Sequence, residues 1–165
     1  VGVNYLLYTE DDVEGYDTNL KVNPPYRTKA DQQALIKGLT DGVIDAVVSD
    51  HQPHDEESKK LEFDLAEFGT NNLQGFWPIL NSAFGTELDQ IIPAITSNPR
   101  QIVGLDPLKI EVGAKAELTI FDGETKWTLD ASTNRSKSCY SPLWNQELTG
   151  KVWGIVNQQQ FELFT

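Results

Sequence analysis

The segment between residues 20 and 50 constrains the fold most, because strand-like and helix-like patterns alternate within it. Residues 20–23 (LKVN) are predicted as a short strand ended by two prolines, since proline lacks an N–H to donate to a sheet. Thr28 and Asp31 form a capping-box pattern that opens a helix, which ends near Gly42. Residues 44–50 (IDAVVSD) form an apolar run without alternation, which is typical of a parallel strand buried on both faces. This order predicts a parallel sheet covered by helices.

A polar loop and several helices are predicted next. Residues 52–72 are polar, and a loop of this length usually serves a site. Apolar residues then recur with helical spacing over residues 73–84 and 88–95. Asn98 is predicted to cap a short helix that ends at Gly104.

Both ends of the chain have strand-like patterns. Residues 1–8 are predicted as a strand, and a chain that starts inside a strand suggests a piece of a larger protein. Strands are predicted at residues 116–121 and 151–156, and the turns that follow them at residues 122–123 and 157–158. We therefore expect residues 1–107 to form the α/β part and residues 108–165 a small β domain that packs separately.

Charge and composition exclude several classes of function. Lys and Arg number 13 against 25 Asp and Glu, which leaves a formal net charge of −12. Such a surface repels phosphate groups and anionic lipids, so neither nucleic acid nor a membrane is an expected partner. The single Cys excludes an internal disulfide framework, and it fits a reduced, cytoplasmic setting. No apolar run approaches the ~18 residues of a membrane span.

Both histidines lie in one pentapeptide, residues 50–54 (DHQPH), at the end of the predicted buried strand. Loops at the C-terminal ends of parallel strands carry the sites of α/β folds, and Asp50 with His51 and His54 could bind zinc or move protons. In the alternative interpretation Asp50 caps a turn and the histidines decorate a loop. Asn23, which ends the preceding strand, could bind a ligand through its amide or form a turn before the proline.

These motifs resemble dihydroorotase of the amidohydrolase superfamily. The matching segments are LKVNPPYR (20–27), DGVIDAVVSDHQPH (41–54), EFG (67–69), SNP (97–99), GL (104–105) and VGAKAELTIFD (112–122). The resemblance runs through nearly the whole chain but covers only the C-terminal part of the family's length. It implies an α/β fold that contains the C-terminal strands and helices of a (β/α)₈ amidohydrolase barrel, plus a small β-rich domain.

The resemblance also implies a reaction and roles for three residues. Asp50 would be the catalytic carboxylate that touches the metal, while Asn23 and His54 would bind the substrate. The reaction would be the reversible cyclisation of N-carbamoyl-L-aspartate to dihydroorotate in pyrimidine synthesis. Zinc would be the cofactor, with its other ligands upstream of this chain, so this chain alone is expected to be inactive. The implied partners are a small-molecule substrate, further copies of the protein and aspartate transcarbamoylase.

Two positions depart from the family's pattern and leave alternatives open. Asn4 stands where the family has a metal-ligating His, and an amide oxygen is a weaker zinc ligand. Asn72 replaces a Gly whose backbone approaches the substrate, so its side chain is expected to obstruct that approach. The parent could therefore be an inactive dihydroorotase-like protein that supports the assembly of aspartate transcarbamoylase, or a hydrolase of another cyclic amide such as a hydantoin. We expect at most one tightly bound zinc.

Overall fold

The computed structural model describes residues 1–157 and 160–164. Its α-helices are α1 (Lys29–Thr40), α2 (Glu56–Lys59), α3 (Phe76–Phe84), α4 (Ile92–Ile95) and α5 (Ser97–Ile102). Short 3₁₀-helices lie at Val3–Leu6, Glu10–Val13, Thr18–Leu20 and Gly85–Gln90. Strands β1 (Glu117–Thr128), β2 (Glu147–Asn157) and β3 (Gln160–Leu163) form an antiparallel sheet in that order. None of the helices in the described ranges is both long enough and apolar enough to cross a membrane.

Helix α1 forms where the sequence predicts it. The Thr28 hydroxyl accepts the N–H of Asp31, and the Asp31 carboxylate accepts the N–H of Thr28 at 3.1 Å. Leu39 is buried on the inner face, and Gly42 ends the helical segment with a φ of 71°. The predicted capping box and helix are therefore confirmed.

The predicted strands of the first fifty residues are wrong in extent, although the parallel direction is confirmed. Residues 1–8 make one parallel bridge, Gly2 with Val48, and then turn into a 3₁₀-helix. Residues 20–23 form no ladder, because no strand lies beside them among the described residues. Val47 is buried whereas Val48 is 55% exposed, so the segment 44–50 is covered on one face only. A second parallel bridge joins His51 to Thr70.

Helix α3 is strongly apolar and packs into the core. Pro78 does not break it, since a proline in the first turn removes an N–H that has no partner within the helix. Gly150 in β2 (φ +100°) lets α3 approach closely, because a Cβ there would lie 3.1 Å from atoms of Trp77 and Asn81. The buried core residues are Val3, Leu6, Leu39, Val47, Ile79, Leu80, Phe84, Ile91, Ala94, Leu129, Leu143 and Leu148.

The C-terminal sheet confirms both predicted strands and corrects one predicted turn. Residues 122–123 do not end β1, because the Asp122 carboxylate accepts the N–H groups of Glu124 and Thr125 and the strand continues past this irregularity. At the second predicted turn, Asn157 ends β2 and pairs with Gln160 of β3, while residue 158 lies outside the described residues.

Two further expectations concern the region between α3 and the sheet. Asn98 is not the cap of α5: Thr96 occupies that position, and the Asn98 amide donates to the carbonyl of Asp45 at 3.0 Å. The α-helix begins one residue before Asn98, so its side chain is free for this long-range bond. Gly104 ends the segment as predicted, with a φ of 73°. The division into residues 1–107 and 108–165 stays a prediction.

Candidate active site

Asp50 lies at the point where the extended segment 44–50 turns. Its backbone is left-handed, with a φ of 47°, and its side chain is half-buried. The side-chain amide of Gln52 donates to Asp50 Oδ1 at 2.8 Å. Gly2 lies against Asp50, since a Cβ on Gly2 would lie 3.4 Å from the Asp50 Cβ. A non-glycine residue in this backbone region is uncommon and is often found at functional sites.

Tyr5 links Asp50 to the segment that carries Asn23. Its hydroxyl donates to the carbonyl of Pro24 at 2.6 Å. Burial, with a smaller contribution from the negative charge of Asp50, raises the pKa of Tyr5 to about 12. Burial likewise raises the pKa of Tyr26, whose ring centroid lies 5.3 Å from that of Tyr5. Both phenols are therefore neutral at physiological pH, and the one on Tyr5 fixes the position of the proline turn.

His51 is held as a neutral imidazole by the segment after the polar loop. Its Nδ1 accepts the backbone N–H groups of Asn72 at 3.0 Å and Leu73 at 3.2 Å. Burial lowers the pKa of His51, and an acceptor Nδ1 leaves the proton on Nε2. The Asn72 side chain is buried and donates to the carbonyl of Ser49 at 2.7 Å. It therefore packs into the protein, contrary to the expected obstruction of a substrate.

The two predicted substrate-binding residues occupy different surroundings. Asn23 is exposed, whereas His54 is half-buried and its Nε2 donates to the carbonyl of Phe68 at 2.9 Å. No hydrogen bond within residues 1–157 or 160–164 joins Asp50, Asn23 and His54 directly. The structure thus ties the Asn23 segment to Tyr5, whose pKa is affected by the charge of Asp50, and attaches His54 to the polar loop.

The donor set around Asp50 does not by itself fit a zinc ion. Asn4 is fully buried, and its two side-chain amide atoms have no hydrogen-bond partner in the part of the chain that is described. Burying such an amide costs about 1–3 kcal/mol, so a further polar group is expected beside it. However, no group of three His, Cys, Asp or Glu side chains able to hold a metal occurs in the described ranges. Asp50 is therefore the single ligand that this chain is predicted to contribute.

Sequence reasoning missed two buried lysines, Lys21 and Lys59, which hold the backbone of the polar loop. Burial lowers the pKa of Lys59 to about 8. Asp55 caps α2, and this cap orients the short helix so that Lys59 faces inward while its neighbour Lys60 stays exposed. Lys59 and Lys60 are adjacent and chemically identical in the sequence, so no local signal predicts which of them is buried.

The fold is shared with solved structures of hydantoinases. The structure matches the L-hydantoinase (dihydropyrimidinase) from Arthrobacter aurescens with a TM-score of 0.86 and 28% sequence identity, over 99% of this chain and 40% of that chain. No protein-family model matches the sequence. The likeness confirms the predicted fold class, an α/β chain with part of an amidohydrolase barrel.

Within that class, the sequence is similar to dihydroorotases. It is 38% identical to the dihydroorotase of Caldicellulosiruptor saccharolyticus over 157 residues, which cover 93% of this chain. It is 39% identical to the dihydroorotase of Aquifex aeolicus over 158 residues, which cover 92% of this chain. The chain spans 36% of the length of each relative. The predicted resemblance to dihydroorotase over part of that family's length is therefore confirmed.

Proposed function

We propose that this chain is part of a dihydroorotase, which reversibly cyclises N-carbamoyl-L-aspartate to dihydroorotate. The observation that carries the proposal is the geometry of Asp50, which is half-buried, left-handed and held on one oxygen by Gln52. A carboxylate held in this way keeps its second oxygen for a reacting group. The similarity to dihydroorotases supports this role for Asp50.

In this proposal Asp50 moves the proton of the reaction. In the hydrolytic direction it accepts a proton from the attacking water and returns it to the departing amide nitrogen. In the cyclisation direction the same carboxylate takes the proton from the nitrogen and passes it to the hydroxyl oxygen that departs as water, so it ends each turnover ionised. Zinc belongs to the proposal through the resemblance, with Asp50 as its only ligand from this chain.

Asn23 and His54 are proposed to bind the substrate. Asn23 is exposed at the proline turn that Tyr5 anchors, and its amide both donates and accepts. His54 gives its Nε2–H to the carbonyl of Phe68, so it offers a substrate carboxylate only its Nδ1. That nitrogen carries a proton only in the imidazolium form. A carboxylate would therefore bind to the charged form of His54.

Asn4 favours a second candidate, an inactive dihydroorotase-like protein that supports the assembly of aspartate transcarbamoylase. Its amide is buried without a partner among the described residues, at the position where the resemblance places a metal-ligating His. Because the fold is similar to that of a hydantoinase, a third candidate is an enzyme that hydrolyses another cyclic amide. A cytoplasmic location and a homo-oligomeric state are parts of the proposal that rest on the resemblance and the composition.

Assays of the intact protein separate these candidates. The proposal predicts turnover of dihydroorotate that exceeds turnover of hydantoin, and at most one zinc retained after mild chelation, because Asn4 is a weak ligand. Faster turnover of hydantoin would assign the site to another cyclic amide. Two retained zinc ions would contradict the argument from Asn4. No zinc together with no turnover would make the inactive protein the better interpretation.

A further inference from the structure

Two buried ammonium groups hold most of the carbonyls of one loop, residues 64–69, hereafter the carbonyl loop. Lys21 and Lys59 reach it from opposite ends, and their exposed fractions are 8% and 1%. Each Nζ donates to two backbone carbonyls, those of Asp64 at 2.9 Å and Ala66 at 2.6 Å for Lys21, and those of Glu67 at 2.9 Å and Gly69 at 2.8 Å for Lys59. The loop is therefore held through its backbone carbonyls, and the centroid of the Phe68 ring also lies 4.6 Å from the Lys21 Nζ.

Neither lysine is placed there by an ion pair. No carboxylate in the described residues lies within 4 Å of either Nζ. At longer range the charges of Asp17 and Glu67 raise the pKa of Lys59, and the charge of Lys21 lowers it. A buried ammonium group is costly unless it is hydrogen-bonded, and each of these two is satisfied by carbonyls of the loop. Two charged side chains therefore indicate a requirement on the orientation of the loop carbonyls.

Gly69 transmits the position of the carbonyl loop to Asp50. Its N–H donates to the carbonyl of Lys21 at 2.8 Å, and its φ is +125°. A Cβ at this position would lie 2.6 Å from the Cβ of Gln52, so the two backbones are in direct contact. Gln52 in turn donates to Asp50 Oδ1 and to the carbonyl of Thr70, the residue after the loop.

We propose that Lys59 is a positioning residue for Asp50 and acts through Gly69 and Gln52. Its ammonium fixes the Glu67 and Gly69 carbonyls, Gly69 then confines Gln52, and Gln52 orients the carboxylate. Its effect on turnover rests on the proposed function, whereas its effect on the loop does not. Lys21 holds the other half of the loop and joins it to the chain that leads to Asn23.

Kinetics of the intact protein test the effect on Asp50. Lys59→Met keeps the apolar stem and removes the donors, and Lys60→Met is the matched control on the exposed neighbour. We expect Lys59→Met to lower kcat on the order of 100-fold, because a small misplacement of a catalytic group has effects of this size. KM should change less than kcat. Equal kcat for Lys59→Met and Lys60→Met would overturn the effect on Asp50.

Hydrogen exchange tests the coupling without any assay of activity. The N–H of Gly69 donates to the carbonyl of Lys21, and those of Asn72 and Leu73 donate to His51 Nδ1. Lys59→Met should raise the exchange rates of these three N–H groups about 10-fold or more, while the rates in α1 stay unchanged. Lys59→Gln, which loses the charge but keeps two N–H donors, replaces the Met variant if that variant does not fold, and a smaller increase at the same N–H groups is expected. Unchanged exchange, or an equal increase in all segments, would overturn the proposal even if the protein does not turn over dihydroorotate.

Discussion

At the residue scale, the functional assignment depends on side chains that differ little in the sequence but greatly in their surroundings. Asp50 and Asp45 are five positions apart, yet Asp50 is half-buried and hydrogen-bonded by Gln52 whereas Asp45 is exposed. Lys59 and Lys60 are neighbours, yet Lys59 is 1% exposed while Lys60 pairs with Glu56 at the surface. Burial therefore separates Asp50 and Lys59 from the residues that serve as their controls.

The lowered pKa of Lys59 predicts a pH dependence of stability. Because the pKa is about 8 in the folded protein and 10.5 is the ordinary value, the unfolded chain binds more protons between these two values. The contribution of Lys59 to the free energy of unfolding therefore becomes more favourable as the pH rises from about 8 toward 10.5. Lys59→Met should lose this contribution and Lys60→Met should keep it. Denaturant unfolding of both variants across this range checks the prediction, and parallel pH profiles would contradict it.

At the scale of elements, the sequence predicts a helix encoded by local residues better than strands that depend on long-range pairing. Helix α1 was predictable because its cap, apolar face and terminal Gly42 all lie within fifteen residues of sequence. The extent of the segments 1–8, 20–23 and 44–50 was not, since a parallel strand depends on neighbours distant in the chain. The end of a predicted strand still located Asp50, because the change from apolar to polar residues is local. The burial of Lys59 arises from the packing of the carbonyl loop, which no short pattern encodes.

The capping box of α1 gives a prediction for this element. Thr28→Ala removes the hydroxyl that accepts the N–H of Asp31, and loss of such a cap costs about 1 kcal/mol. The bonds from Thr28 also hold the pKa of Asp31 below its usual range, so that pKa should rise toward its ordinary value in the variant. Gln33→Ala, an exposed change in the same helix, is the control and should leave both quantities unchanged. Equal unfolding free energies for Thr28→Ala and the control would show that the cap does not stabilise α1.

At the scale of the whole molecule, the described sheet presents many apolar side chains to solvent. Their exposed fractions range from 36% to 60%, at Leu118, Ile120, Phe121, Trp153, Ile155, Phe161 and Leu163. Exposed apolar patches of this kind usually mark a contact surface. The chain spans about a third of the length of its curated relatives.

This surface predicts the behaviour of residues 1–165 expressed alone. We expect the chain to self-associate, because strand edges and apolar side chains are exposed together. The double variant Phe161→Ser and Leu163→Ser should shift the population toward monomer, whereas Tyr16→Ser, which changes an exposed aromatic residue far along the chain, should not. Sedimentation velocity measures both effects. A compact monomer at all concentrations would contradict the expectation.

Turnover of dihydroorotate by the intact protein and its Asp50→Asn variant tests the central claim most directly. Asp50→Asn keeps the size and one oxygen of the side chain but removes the negative charge that accepts a proton. We predict that turnover is lost while the free energy of unfolding changes by less than about 1 kcal/mol, as is usual outside a core. Asp45→Asn, the exposed control, should retain the activity of the original protein. Retained turnover in Asp50→Asn, above all with a large loss of stability, would show that Asp50 is a structural residue and contradict the proposed function.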